Sequence, residues 1–396
     1  MMVFVKLRYR FRFYPTNAQK KILARTFGAC RYVYNWALRL RTDSYRDGKT
    51  INYNASSIAL TKLKKHEDHA WLNEVSSVPT QNALRHLQAA FRNFFEKRSR
   101  YPAFKRKYDK QRAEYTGSAF KWDAVNRNLC LSGVGRLRVR WSRTFESNPT
   151  TVTVSKDRAG RYHATLVLDE KRANLPKTKK VVGVDLGVSR LATLSSGERI
   201  PNPRHLAKQT NKLARAQRIL SRRVKGSGRW KRAKLRVAKI HAKIGDSRLD
   251  HMNKVTTDLV RRFDTICIED LNVRGMVKNH AIARSLSDAS LGMFGRLVEY
   301  KCGWYGKTLK KVDRFFPSSK QCSACGYVLE KLLLSVREWD CPECGTHHDR
   351  DENAAKNILA AGHAVTARGG RIRRSRASAR KRYDRRSVNQ PVVRHA

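Results

Sequence analysis

The chain opens on an alternation. From residue 3 to 14 apolar and basic side chains take turns, so Val3, Val5, Leu7, Tyr9, Phe11 and Phe13 share one face of a half-buried strand, which Pro15 ends. The period then changes to helical. Over 16–43, Ile22, Leu23, Phe27, Cys30, Val33 and Tyr34 recur on one side, and Thr16 or Asn17 stands where a cap is needed. Two further helices are predicted over 55–66 and 79–98. In the second, Ala83, Leu84, Leu87, Phe91, Phe94 and Phe95 form a core-facing stripe, and the other side carries Arg85, Arg92, Lys97, Arg98 and Arg100. Short β-like runs follow at 127–132, 135–141, 150–156 and 161–168, separated by Gly, Asn and Asp. They predict a small antiparallel barrel or sandwich that strand 3–14 joins, with 16–110 as a helical insertion. Pro176 and the Lys-rich 177–180 read as a linker.

Beyond it, 181–186 is an apolar strand, and 191–195 follows at hairpin distance. A second apolar strand covers 265–269. Between them, Trp230, Ala233, Val237, Ile240 and Ile244 step by three and four, with Leu206, Leu213, Ala216 and Leu220 in matching register. The Gly226-Ser227-Gly228 turn makes 203–247 an antiparallel helical hairpin whose outer side is basic, Arg222, Arg223 and Lys225 included. From Gly362 to Ala396 there are ten Arg and one Lys against one Asp. Few large apolar residues occur there, so it reads as a disordered, polyanion-binding tail.

Charge narrows the choice of partner. Across 396 residues, 85 Lys and Arg face 32 Asp and Glu, a net +53. Such self-repulsion is relieved by a polyanion, and phosphate backbones supply one through counterion release. No apolar run is long enough to span a bilayer, and Lys6, Arg8, Arg10 and Arg12 break up any leader-like run. The expected place is the cytoplasm or nucleoid. Cys30, Cys130, Cys267 and Cys302 stand alone and are expected as buried thiols in a reducing compartment. Cys322, Cys325, Cys341 and Cys344 form two C-x₂-C pairs 15 residues apart, each followed by Gly, the spacing of a structural Cys₄ zinc site.

Against this cationic background three acids stand out. Asp185 ends one apolar strand, Glu269 ends another, and Asp351 opens an Ala-rich helix just after the cysteines. Taken singly, each also fits a solvated strand end or a helix cap. Together they fit an RNase H-like fold, in which such carboxylates converge and share two Mg²⁺ or Mn²⁺ ions about 4 Å apart. Asp270 should point away from Glu269 because side chains alternate along a strand. Asp349 is expected to cap the helix or hold Arg350.

These segments resemble a known family, the TnpB proteins, transposon-encoded RNA-guided DNA endonucleases related to compact type V CRISPR nucleases. The resemblance is carried over about 1–360 by Tyr14-Pro15-Thr16 with 27–35 (FGACRYVYN), Gln81-Asn82-Ala83-Leu84 with Phe94-Phe95, 183–187 (GVDLG), Ile268-Glu269-Asp270-Leu271, 316–320 (FPSSK) before the cysteines, and 349–355 (DRDENAA). It implies an α+β multidomain chain: a β-barrel wedge domain (1–15 and 111–178), a helical recognition insertion (16–110), a RuvC-like α/β nuclease (180–317 and 347–362), an inserted zinc ribbon (318–346) and the basic tail (363–396). It further implies a monomer with one guide RNA copied from the transposon end. That complex would cut double-stranded DNA beside a short target-adjacent motif read near Ser57 and Gln81. Asp185, Glu269 and Asp351 would be the catalytic triad. The alternatives are a nuclease-inactive, RNA-guided DNA-binding repressor and a transposase accessory protein; the three intact acids speak against the first.

Overall fold

In the computed structural model, which describes residues 2–333 and 335–367, the opening alternation forms β1 (Met2–Phe13). Leu7, Tyr9, Phe11 and Phe13 are buried, and Lys6, Arg8 and Arg10 are exposed. Thr16 caps α1 (Asn17–Arg46) reciprocally: its hydroxyl accepts from the Gln19 N–H, and the Gln19 side chain accepts from the Thr16 N–H. After α2 (Tyr53–Leu63) and α3 (Ser77–Phe95) the chain returns to strands. These are β2 (Gln111–Thr116), β3 (Phe120–Asp123), β4 (Asn128–Leu131), β5 (Gly135–Arg136), β6 (Val139–Arg140), β7 (Thr151–Lys156) and β8 (Tyr162–Ala173). They build two antiparallel sheets, ordered β2-β7-β8-β1-β6 and β3-β4-β5.

β1 pairs with β8 from Met2 against Ala173 to Phe13 against Tyr162, so the first strand does join the later ones. The run expected over 135–141 breaks at Leu137, whose N–H bonds to the Leu129 carbonyl at 2.8 Å. That break lets β5 pair with β4 while β6 pairs with β1. No strand pair joins the two sheets among the described residues, so the expected barrel or sandwich takes the form of two sheets sharing one core. Phe11, Leu23, Leu84, Leu129 and Val152 belong to the same apolar cluster. The helical insertion therefore has no separate core: α1 and α3 lie on the strands, and Asn82 donates to the Glu114 carbonyl at 3.0 Å.

The second half is a five-stranded sheet with helices on both faces. Its strands are β9 (Val181–Leu186), β10 (Arg190–Leu194), β11 (Arg199–Pro201), β12 (Thr265–Glu269) and β13 (Thr308–Val312), ordered β11-β10-β9-β12-β13. β12 runs parallel to β9 and β13, and β10 is antiparallel to β9 and β11. Between β11 and β12 stands the hairpin, α4 (His205–Ser221) and α5 (Gly228–Arg262), with Leu213, Ala216, Ile240 and Ile244 buried at its seam. α5 does not stop at 247: Met252, Leu259 and Val260 continue its apolar face onto the sheet. Then come α6 (Val273–Met276), α7 (His280–Ala289) and α8 (Leu291–Tyr305). The linker is pinned rather than loose, because the Thr178 and Lys179 N–H groups and the Lys307 ammonium all bond to Asp264.

Strand alternation sorts the two faces. Val182, Val184, Ile266 and Ile268 point to α5, α7 and α8, whereas Gly183 and Cys267 point to the last helix, α9 (Arg350–Ala367). α9 approaches so closely that a Cβ on Gly183 would meet Leu359 N at 2.7 Å and Leu359 Cβ at 2.8 Å, and would overlap the Ala355 carbonyl. Gly183→Val is thus expected to lose about 3 kcal/mol or more of stability, because the obstacle is backbone and cannot rotate away. A thermal midpoint equal to that of the unsubstituted protein would refute this packing. Residues 363–367, expected in the tail, continue α9, and the rest of that expected tail, 368–396, lies outside the described residues.

Candidate active site and metal centre

The same alternation decides where the acids go. Asp185 and Glu269 lie two residues beyond Gly183 and Cys267, so they share the face that α9 covers. Ile268 pairs with Val184 in the parallel ladder, which brings Glu269 level with Asp185 on the neighbouring strand. From Gly183 to Asp185 the strand advances about 7 Å. From Ala355, which lies over Gly183, back to Asp351 α9 retreats about 6 Å. The helix runs antiparallel to β9, so its first turn ends beside the strand's carboxylate.

Electrostatics agrees with this placement. Burial, then the negative charges of Glu269 and Asp351, push the Asp185 carboxyl up to about 7. Burial also raises the Glu269 carboxyl, opposed by a hydrogen bond from the Ser318 hydroxyl. Asp351 is held by cations, with Arg337 at 3.6 Å and Arg190 at 3.9 Å. Asp349 is the helix cap: its Oδ1 accepts from the N–H groups of Asp351 and Glu352, each at 3.0 Å. Its Oδ2 accepts from Arg199 at 2.8 Å rather than from Arg350, which instead donates to the Leu333 carbonyl. Asp270 points away as expected and pairs with Arg314. The donors at the site are hard carboxylate oxygens, which suit Mg²⁺ or Mn²⁺.

The four cysteines meet in a second centre. Their sulfurs all lie within 4.8 Å of one another, with Cys322–Cys344 at 3.7 Å and Cys325–Cys341 at 3.6 Å. A zinc tetrahedron with bonds of about 2.3 Å has edges near 3.8 Å, so the set fits Zn²⁺. Gly326 and Gly345 have φ of +88° and +69°, and their N–H groups bond back to the Cys322 and Cys341 carbonyls, closing both knuckles. A short hairpin, β14 (Glu338–Asp340) with β15 (His347–Asp349), carries this unit directly into α9, past the expected limit at 346.

Two residues that the sequence reading passed over lock the cysteine unit to α9. Asn353 accepts from the Ser323 N–H at 2.9 Å and donates to the Gln321 carbonyl at 2.7 Å. Asn357 donates to the carbonyls of Ser318 and Gln321 at 2.8 and 2.6 Å. Both are buried, and their four-residue spacing on one helix face was the available signal. Asn357→Ala is expected to cost about 1–3 kcal/mol by taking the donor from the Ser318 carbonyl and leaving the Gln321 carbonyl to Asn353 alone, which a denaturant titration against the unsubstituted protein measures.

Comparison with known proteins places this geometry. Three family models match: "Probable transposase" over 154–280, "Cas12f1-like, TNB domain" over 292–358 and "Helix-turn-helix domain" over 1–50. A Streptomyces pristinaespiralis protein named as an RNA-guided DNA endonuclease is 51% identical over 96% of this chain and 95% of its own. An Escherichia coli K12 protein so named, InsQ, is 33% identical over 93% of this chain and 95% of its own. The chain belongs to the TnpB family. The fold of this TnpB protein is also that of a solved Cas12f1 in complex with sgRNA and target DNA, with a TM-score of 0.60 at 13% identity, covering 90% of this chain and 99% of that one.

The remaining predicted positions of this TnpB chain fall in three places. Ser57 on α2 and Gln81 on α3 meet, the serine hydroxyl donating to Gln81 Oε1 at 3.2 Å. Arg222, Arg223 and Lys225 are exposed in the turn between α4 and α5. Cys30, Cys267 and Cys302 are buried as expected, and Cys130 is half-buried. Among the described residues no helix is long and apolar enough to cross a membrane.

Proposed function

We propose that this protein is an RNA-guided DNA endonuclease whose cutting site is the Asp185, Glu269 and Asp351 cluster in a RuvC-type nuclease domain. The observation that carries the reading is that Asp185 lies level with Glu269 on the neighbouring strand and feels the charges of Glu269 and Asp351, in a chain of net +53. A carboxyl that burial and two neighbouring acids push up to about 7 is stable there only when protonated or with a cation beside it. Bound Mg²⁺ or Mn²⁺ would activate water for attack on the phosphate and stabilise the leaving oxygen. Asp185 and Glu269 would hold the cations from the sheet and Asp351 from the helix. Ser318 fixes the Glu269 rotamer, while Asp349 and its arginines fix the first turn of α9. Zn²⁺ on the four cysteines would be structural.

In this reading the guide RNA, copied from the transposon end, supplies sequence specificity by pairing with the target strand, and the protein reads only a short adjacent motif and the backbone. The two antiparallel sheets act as the wedge-like barrel, the α1–α3 insertion as the recognition part with Ser57 and Gln81 at the motif, and the basic hairpin tip with Arg222, Arg223 and Lys225 on phosphates. One protein copy holds one RNA. Co-expression with the DNA flanking the gene tests the reading. A discrete co-purified RNA and cutting of a matched plasmid library at one flank motif are expected, whereas heterogeneous RNA without cutting would remove the guided mechanism.

The raised pKa of Asp185 fixes a pH dependence. Protons and Mg²⁺ compete for its carboxylate, which is protonated below about 7. At limiting Mg²⁺ the cutting rate should therefore fall about tenfold per unit as pH drops below that point. The dependence should weaken when Mg²⁺ is saturating. A flat profile at limiting Mg²⁺ between pH 6 and 8 would contradict the assignment of that carboxyl as a ligand.

A further inference from the structure

The segment that follows α3 combines features that packing does not explain. Residues 96–112 hold eight Lys or Arg against two acids. Within and beside this stretch Phe95 and Tyr108 are each 72% exposed and Phe104 is 54% exposed. Exposed rings are tolerated singly, but three on one short basic stretch call for a partner. The segment is not slack. Asn35 grips Lys105 on both sides, accepting from its N–H at 2.8 Å and donating to its carbonyl at 3.0 Å. Asp109 accepts from the Arg106 N–H at 2.7 Å, closing the turn that presents Tyr108. Behind Phe95 the ring of Phe91 is stacked at 6.3 Å and backed by the Arg41 guanidinium. The exposed rings therefore stand on a fixed frame.

This surface continues onto the hairpin. The Lys234 ammonium of α5 lies 4.6 Å from the Tyr108 ring and 4.6 Å from the Trp230 ring, joining the two segments through a shared cation. From Gly228 to Gly245 α5 carries seven Lys or Arg and no acid. The result is a set of presented rings on one basic stretch that meets a cationic helix at Tyr108. Duplex nucleic acid offers phosphates but hides its base faces, and an apolar protein partner would leave the Lys and Arg without counter-charge. A single strand offers both phosphates for the lysines and open base faces for the rings.

We propose that Phe95, Phe104 and Tyr108, with the basic residues around them and the start of α5, form a stacking platform for unpaired bases of a single-stranded nucleic acid. The inference deepens the nucleic-acid-directed reading above and rests on it. The strand can be RNA or DNA, since both present the same base faces and phosphates.

The test uses the full chain and four probes of about 16 nucleotides: oligothymidylate, oligouridylate, and the abasic strand of each, identical in charge. The unsubstituted protein should bind base-bearing strands about 100-fold more tightly than abasic ones. Phe104→Ala with Tyr108→Ala should remove most of that difference while leaving abasic binding and the thermal midpoint unchanged. Phe104→Tyr with Tyr108→Phe, which keeps both rings, should restore it. The tighter of the thymidylate and uridylate arms identifies DNA or RNA as the natural strand. Equal binding of base-bearing and abasic strands, or equal losses on both in the alanine variant, would overturn the platform while leaving the nuclease reading intact. Failure to bind any strand would instead overturn the nucleic-acid reading beneath it.

Discussion

Asp185→Ala should abolish DNA cutting, lowering the rate by about 10³-fold or more, while RNA and target binding persist. In the proposed site Asp185 would be the central ligand: it sits on the middle strand, and both other acids act on its charge. The variant should also be informative when no metal is present. A carboxyl whose folded pKa is raised stabilises the folded state below its unfolded value and loses that contribution as pH rises through the folded value, here about 7. Above that pH the metal-free protein carries an unfavourable buried charge. Asp185→Asn should therefore melt higher than the unsubstituted protein at pH 8 in chelator, and the advantage should vanish near pH 4. A variant that is inactive because it is misfolded would melt lower at both.

Losing the cysteine centre should have the second large effect. Cys341→Ser, or exhaustive chelation, is expected to release one zinc per chain, disorder the segment around the four cysteines and reduce cutting by about 100-fold. The reason lies in what the unit holds. Through Ser323 and Gln321 it is bonded to Asn353, and through Ser318 and Gln321 to Asn357, both on the helix that carries Asp351. Ser318 in turn holds Glu269. Two of the three carboxylates thus depend on a frame that zinc would close. Metal analysis and cutting assays on the same preparation check this. Full activity with zinc absent would separate the centre from the site.

Much of this was legible in the sequence because the signals are local. The period-2 run of β1, the Thr16 cap and the step pattern of the hairpin are written in neighbouring residues, and they form as expected. Asp185 and Glu269 stood out because they end apolar strands in a basic chain, and Asp351 because it opens a helix. What could not be read depends on distant partners. β13 carries two lysines in five residues and becomes a strand only by pairing with β12. α8 has exposed positions at Gly292, Arg296, Glu299 and Gly303, two of them glycines, which weakens its helical signal. Its Lys301 is buried, with the ammonium satisfied by the Asn253 carbonyl and the hydroxyls of Thr256 and Thr257. The split of the 135–141 run was also hidden, because the switch at Leu137 is made by a hydrogen bond to Leu129 rather than by a turn residue.

The most direct test of the central claim is cutting of a guide-matched plasmid by the purified RNA-bound protein, followed across a Mg²⁺ titration for the unsubstituted chain and for Asp185→Ala, Glu269→Gln and Asp351→Asn. The account predicts cutting that rises with Mg²⁺ for the first and stays at background for all three variants while target binding is kept. Undiminished cutting by any of the three, or cutting that persists in chelator, would contradict it.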